Sequence, residues 1–102
     1  MASKTKIEVP QEGVAEFCRN HHIRKLSFFG SAISDHFTQD SDVDVLVEFE
    51  QGQVVGLLRL AAMEIEFSEI LGRKVDMRTP ADLSRYFRDE VLSIAEVQYA
   101  EG

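Results

Sequence analysis

The chain has little of what would tie it together covalently or anchor it in a membrane. It contains one cysteine, Cys18, two prolines and no tryptophan among 102 residues. A single cysteine excludes an intrachain disulfide and a zinc site built from cysteines. No apolar run approaches the length of a membrane span, and the N-terminal segment MASKTKIEVP lacks the apolar stretch of a signal peptide. These absences predict a cytoplasmic protein without membrane contact.

Positive charge is also scarce. Lysine and arginine total 11 against 18 aspartates and glutamates, which gives a formal net charge of −7. Binding to nucleic acid depends on cationic contacts with phosphate groups. The balance therefore disfavours direct nucleic-acid binding, as in template reading or RNA tailing.

The length fits one compact domain over residues 1–102, with a loose N-terminus over residues 1–9. The patterns predict the order αβαβαβα: an α/β (α+β) fold with a small mixed sheet, helices on one face and polar residues on the other. The expected strands are Ile23–Phe29, Ser41–Glu50 and Arg73–Arg78, and the helices run from Pro10 to about Asn20, over a short segment to about Phe37, from Val54 to Leu71, and from Thr79 to about Gln98. Cys18 is expected to be buried on the first helix beside Val14 and Phe17.

A glycine-serine pair closes the first expected strand. Gly30 permits a sharp turn, and the amides that follow Ser31 would open a short helix whose N-terminus favours an anion such as phosphate. The serine hydroxyl could also donate to a phosphate oxygen. The alternative is an ordinary helix-capping serine, and for this pair alone that alternative is the stronger.

Two carboxylates follow on the second expected strand. Asp42 and Asp44 alternate with Val43 and Val45, so both aspartates leave one face of the strand while the valines pack on the other. Hard oxygen ligands of this kind suit Mg²⁺. Two solvated aspartates on an acidic surface remain the alternative for this pattern alone.

A third carboxylate makes a metal site the more favoured of these two interpretations. In Lys74–Arg78, Val75 and Met77 face one way and Asp76 the other. If this strand neighbours the second one, Asp76 joins Asp42 and Asp44. Three carboxylates can bridge two metals about 4 Å apart, an arrangement that stabilises the attacking and leaving oxygens at phosphorus.

Together these residues resemble a known family. Gly30-Ser31, ten residues, Asp42-x-Asp44, and Gly72-Arg73-Lys74-Val75-Asp76 downstream look like the minimal nucleotidyltransferases of the DNA polymerase β superfamily. Those proteins are the antitoxins of two-gene modules whose toxin is a HEPN ribonuclease. The resemblance implies a polymerase β-like fold, two Mg²⁺ ions on Asp42, Asp44 and Asp76, ATP held by Gly30 and Ser31, and Asp76 taking the acceptor's proton.

The resemblance implies AMP transfer from ATP to a hydroxyl on a HEPN toxin, such as a tyrosine, because the chain is too short to hold an acceptor-binding domain. Many relatives have an arginine a few residues after Gly-Ser, where this chain has Ala32, Ile33 and Ser34, so one phosphate contact is missing. Two alternatives therefore stay open. The chain could mask its partner by binding with an idle nucleotide site, or transfer AMP to a small molecule such as an aminoglycoside-like antibiotic.

The expected helix Val54–Leu71 is apolar on several sides rather than along one stripe. Either it lies centrally under the sheet, or another chain covers part of it, as a partner protein or a second copy would.

Overall fold

The structure is a computed structural model and describes residues 9–30, 42–86 and 88–101. Its elements in chain order are α1 (Gln11–Asn20), β1 (Ile23–Phe29), β2 (Val43–Phe49), α2 (Leu57–Leu71), β3 (Val75–Arg78), a 3-10 turn (Pro80–Asp82), α3 (Arg88–Ile94) and β4 (Glu96–Ala100). The expected short helix to Phe37 and the loose N-terminus fall on residues 31–41 and 1–8, which lie outside the described ranges.

The four strands form one mixed sheet in the order β3-β2-β1-β4. β1 pairs antiparallel with both β2 and β4, whereas β2 pairs parallel with β3. A parallel pair needs a long crossover between its strands, and α2 supplies it. The predicted α/β architecture with a small mixed sheet is confirmed.

The core lies between one face of this sheet and the helices α1 and α2. Phe17 of α1 and Phe67 of α2 meet with ring centroids 4.9 Å apart and a tilt of 46°. Both are fully buried, as is Cys18, so the expected burial of the cysteine is confirmed. Strands β1 and β2 contribute alternating residues to the same core, among them Leu26, Phe28, Val43, Val45 and Val47.

Helix α2 also closes the outer edge of the sheet. β3 is an edge strand, and the outward amides of such a strand need partners. The Val75 N–H donates to Ser68 Oγ at 3.2 Å, and the Met77 N–H donates to Glu64 Oε2 at 2.7 Å. The helix ends at Leu71, as expected, and Gly72 follows it with a left-handed φ of 71°.

The expected helix from Thr79 to Gln98 is wrong. It is not one continuous element: the Thr79 N–H donates to Asp82 Oδ2 at 3.1 Å and caps a 3-10 turn, Leu83 is then extended and buried, and α-helix resumes over Arg88–Ile94. The last residue of that helix, Ile94, is 51% exposed. The physical reason is the free edge of β1, which β4 pairs with through Lys25, Leu26, Ser27 and Phe28.

Among the described residues, no helix has both the length and the apolar character that a membrane crossing requires.

Burial predicts an unreactive thiol. Desolvation raises the pKa of Cys18 to about 12 from an ordinary 9.0, with Arg19 opposing the shift only weakly. Because the thiolate is the nucleophile, iodoacetamide should not label the folded chain at neutral pH but should label it in guanidinium chloride. As the pH rises, the thiol of the unfolded chain ionises at a lower pH than the thiol of the folded chain. The contribution of Cys18 to the free energy of unfolding is therefore complete below pH 9 and is lost as the pH rises from 9 towards 12. Rapid labelling of the folded chain would contradict this burial.

The edge contact of Glu64 should be measurable as stability. Glu64→Ala leaves the part-buried Met77 amide without its acceptor and should lower the free energy of unfolding by about 1–3 kcal/mol. Glu64→Gln keeps an acceptor oxygen and should restore most of the loss. Glu69 on the same helix is exposed, so Glu69→Ala should change the free energy of unfolding by less than about 0.5 kcal/mol. Urea unfolding compares the three, and equal losses in both alanine variants would argue against edge capping.

Candidate active site

The face of the sheet that does not pack on α1 and α2 carries the predicted carboxylates. In β2, Val43 and Val45 are fully buried in the core, while Asp42 is exposed and Asp44 partly exposed on the other side. The alternation predicted for this strand is confirmed. The helices α1 and α2 and the carboxylates therefore lie on opposite faces, as expected.

The parallel pairing of β2 and β3 brings the third carboxylate to the same place. Asp44 and Asp76 are direct register partners, just as Val43 faces Val75 on the core side. Directly paired residues on neighbouring strands project from the same face, with Cβ atoms about 5 Å apart. Asp76 is thus adjacent to Asp44 on the shared face, and Asp42 precedes Asp44 by one alternation.

The end of β1 completes this corner of the sheet. Phe29 is the register partner of Asp44, and Gly30 follows with a left-handed φ of 60°. A Cβ on Gly30 would overlap Asp44 Oδ2 and lie 3.2 Å from Asp44 Cγ. Only glycine lets the backbone approach the carboxylate this closely. The glycine of the predicted phosphate turn is therefore packed directly against a predicted metal ligand.

Two cations lie beside the carboxylates. Lys74 Nζ is 3.9 Å from Asp42 Oδ2, and Arg78 donates from Nη2 and Nε to Asp76 Oδ2 at 3.2 and 3.3 Å. No role was predicted for Lys74 or Arg78, which lie two residues before and after Asp76 in the sequence. Their spacing of two positions from Asp76 on a strand was the available signal, because it places all three on one face.

These ion pairs affect how the carboxylates are arranged. Across the three described ranges, no three His, Cys, Asp or Glu side chains lie close enough together to hold a metal ion. The aspartates share one face of adjoining strands, but Asp42 and Asp76 are turned towards Lys74 and Arg78. The backbone thus brings together the positions that sequence analysis predicted, while the side chains are not in a metal-ligating arrangement.

The donor set nevertheless fits Mg²⁺. Carboxylate oxygens on adjoining backbone positions are the hard ligands that this ion takes, and it needs only one or two of them because water and phosphate fill the remaining positions. Exposed ion pairs such as those of Asp42 and Asp76 contribute about 0–1 kcal/mol. Rotation of the side chains away from Lys74 and Arg78 is therefore inexpensive.

The middle of this face is covered. Ser27 and Leu46, register partners in β1 and β2, are 1% exposed although they lie on the carboxylate side. The 3-10 turn approaches β2, and Leu83 behind it is buried. Asp42, Asp44 and Asp76 thus lie at a more accessible corner of the face than its centre. Ser31 and Ser34, the predicted phosphate ligand and the substituted position, lie outside the described residues.

The chain is similar in sequence to known proteins. The family model of the nucleotidyltransferase domain matches residues 11–97. A protein of Methanocaldococcus jannaschii that carries the name of a protein adenylyltransferase is 35% identical over 75 residues, which are 74% of this chain and 78% of that one. The protein adenylyltransferase MntA of Thermococcus cleftensis is 33% identical over 70 residues, or 69% of each chain.

Solved structures share the fold. A toxin-antitoxin crystal structure with AMP-PNP has a chain that superimposes with a TM-score of 0.73 at 14% identity, covering 90% of this chain and 74% of that one. A complex of tri-AMPylated Shewanella oneidensis HEPN toxin with MNT antitoxin gives a TM-score of 0.64 at 13% identity, covering 88% and 69%. At these identities the likeness concerns the fold alone.

The contact between Gly30 and Asp44 can be tested against a matched glycine. Gly72 has a similar φ of 71° but no atom within 4 Å of an added Cβ. Gly72→Ala should cost about 1–2 kcal/mol of stability for left-handed strain, with Mg²⁺ binding in the presence of ATP unchanged. Gly30→Ala adds the displacement of Asp44, so it should lose additional stability and also weaken Mg²⁺ binding. Calorimetric titration measures Mg²⁺ binding, and urea unfolding measures stability. If the two variants do not differ in either, the contact between Gly30 and Asp44 is unimportant.

Proposed function

Since the chain belongs to the nucleotidyltransferase domain family, we propose that it is a protein adenylyltransferase that moves AMP from ATP to a hydroxyl of a partner HEPN toxin, and so acts as an antitoxin. The observation that carries the proposal is the register of Asp44 with Asp76 beside Gly30. The named adenylyltransferase relatives and the AMPylated HEPN toxin in a complex of the same fold support the substrate and the partner.

Each residue of the candidate active site has a separate role in the proposed reaction. Asp42, Asp44 and Asp76 would hold two Mg²⁺ ions, and Gly30 with Ser31 would hold the triphosphate. Bound Mg²⁺ supplies charge neutralisation for the triphosphate and lowers the pKa of the acceptor hydroxyl. Gly30 contributes by its lack of a side chain, which lets the turn that would bind phosphate lie against Asp44.

In the transfer itself, the acceptor oxygen forms a bond to the α-phosphorus of ATP. The bond from that phosphorus to the bridging oxygen breaks, and pyrophosphate leaves. The hydroxyl proton passes to the carboxylate of Asp76, which acts as general base. Asp76 suits this role because its side chain is partly exposed on the carboxylate face, where an acceptor from another protein can approach.

Lys74 and Arg78 fit the same reaction. They neutralise Asp42 and Asp76 in the structure, and both are exposed at the site. If the carboxylates held metal ions, the two cations would be available to the polyphosphate. They would then supply the positive charge that the resemblance led us to expect from an arginine near Ser34.

Masking of the partner by binding alone is the competing function, and the apolar side chains that α2 exposes favour it. Either function would be exercised in the cytoplasm, where ATP is available. AMP transfer to a small molecule has no support from the described structure.

The decisive experiment uses carboxylate variants. Asp44→Asn and Asp76→Asn should each abolish AMP transfer while leaving the fold intact, because removing a negative charge from a group of carboxylates relieves repulsion. Asp89→Asn, on an exposed position of α3, should transfer normally. The chain is incubated with Mg²⁺, ATP and the HEPN-family protein encoded beside it, and intact-mass spectrometry counts AMP units on both proteins.

Transfer that persists in both site variants would refute the proposed roles. Unchanged masses with the unaltered chain, in a complex that still silences the toxin, would instead establish the masking function.

A further inference from the structure

Helix α2 exposes an apolar stripe that the core does not use. Leu57 and Leu58 are 81% and 89% exposed, and Ile65 is 63% exposed, although all three belong to a helix whose other side is buried. At about 100° per residue, Leu57, Ala61, Ile65, Leu58 and Ala62 occupy one continuous arc of about 140°. The exposed Val54 precedes the helix at the same end. Contiguous apolar surface of this kind marks an interaction site.

The position of the stripe follows from the hydrogen bonds of α2. Glu64 and Ser68 point to the β3 edge, where they accept from Met77 and Val75. On the helix, Ala61 and Ile65 are neighbours of Glu64 and Ser68 on the side away from the core. The stripe therefore lies just outside the β3 edge. Asp76 lies between Val75 and Met77 on that same strand, so the stripe and the candidate active site border the same strand.

Acidic side chains lie within the stripe and on its side away from β3, whereas Lys74 and Arg78 lie at β3 itself. Glu69 is exposed within its arc, and next to it a groove between α1 and α2 is lined by Glu16, Glu66, Phe17 and Ile70. The formal charge of the whole chain is −7. A second copy would bring like charges together, whereas a partner with lysine or arginine beside an apolar face would be attracted.

We propose that the stripe with Leu57, Leu58 and Ile65 is the docking surface for a basic amphipathic helix of the acceptor protein, which thereby presents its hydroxyl across the β3 edge to Asp76. The inference rests on the proposed function for the identity of the acceptor. An amphipathic helix meets such a surface with apolar side chains at three- and four-residue spacing. Docking outside the carboxylate face leaves that face open to ATP.

The test separates binding from transfer. Leu58→Glu with Ile65→Glu should weaken affinity for the HEPN-family protein encoded beside this chain by about thirtyfold or more, as removal of central apolar contacts does. Tyr86→Glu is the matched control, because Tyr86 is 85% exposed outside the stripe, and its affinity should stay within about twofold of the unaltered chain. Glu69→Lys should weaken binding several-fold and reduce its salt dependence. Calorimetry measures affinity, and circular dichroism with ATP binding checks the fold of each variant.

If the glutamate pair disturbs folding, Leu58→Ser with Ile65→Ser serves in its place. Affinity within about twofold of the unaltered chain in a folded stripe variant would overturn the proposal, using the same scale of interface effects. The proposal would also be overturned if the unaltered chain were a dimer, the stripe variant were a monomer, and both bound the partner equally well. The stripe would then be occupied by a second copy of this chain. Absence of AMP transfer by the unaltered chain, with binding that still depends on the stripe, would refute the proposed function and leave the docking surface standing.

Discussion

The parallel pairing of β2 with β3 is the constraint on which the other features depend. It places Asp76 beside Asp44, since the two are register partners. It also requires a crossover long enough to return the chain to the start of β3, and α2 provides that length. The same helix then caps the outer amides of β3 through Glu64 and Ser68. Site, crossover and edge protection are consequences of one strand arrangement.

Short-range patterns were sufficient to predict which face of each strand carries the aspartates. Strict alternation around Asp42 and Asp44 assigned the carboxylates and valines of β2 to opposite faces, and the same reasoning applied to Asp76. Whether β2 and β3 were neighbours was a condition that periodicity could not decide, and the structure satisfies it. The directions of the side chains were beyond reach, because they depend on ion pairs such as that of Arg78 with Asp76.

The C-terminal strand shows where local reasoning fails. Thr79, Pro80 and Asp82 are a sound helix start, and the structure uses them for a 3-10 turn. Helix signals at a start do not determine length, however, and Glu96–Ala100 pairs with β1 instead. Propensity in such a segment is a preference of a few tenths of a kcal/mol per residue. Pairing of a whole edge strand and packing of Tyr99 against the core outweigh it.

The irregular apolar pattern of α2 now has a physical account. Of the two explanations that the sequence left open, complete burial is wrong, because Leu58 is among the most exposed side chains while Met63 and Phe67 are fully buried. The helix therefore has two apolar sides. One packs beneath the sheet and holds the fold together. The other is exposed, so it contributes no burial to the folding of the isolated chain. A surface that costs solubility without contributing to folding is best explained by association, and its position beside Asp76 relates that association to the candidate active site.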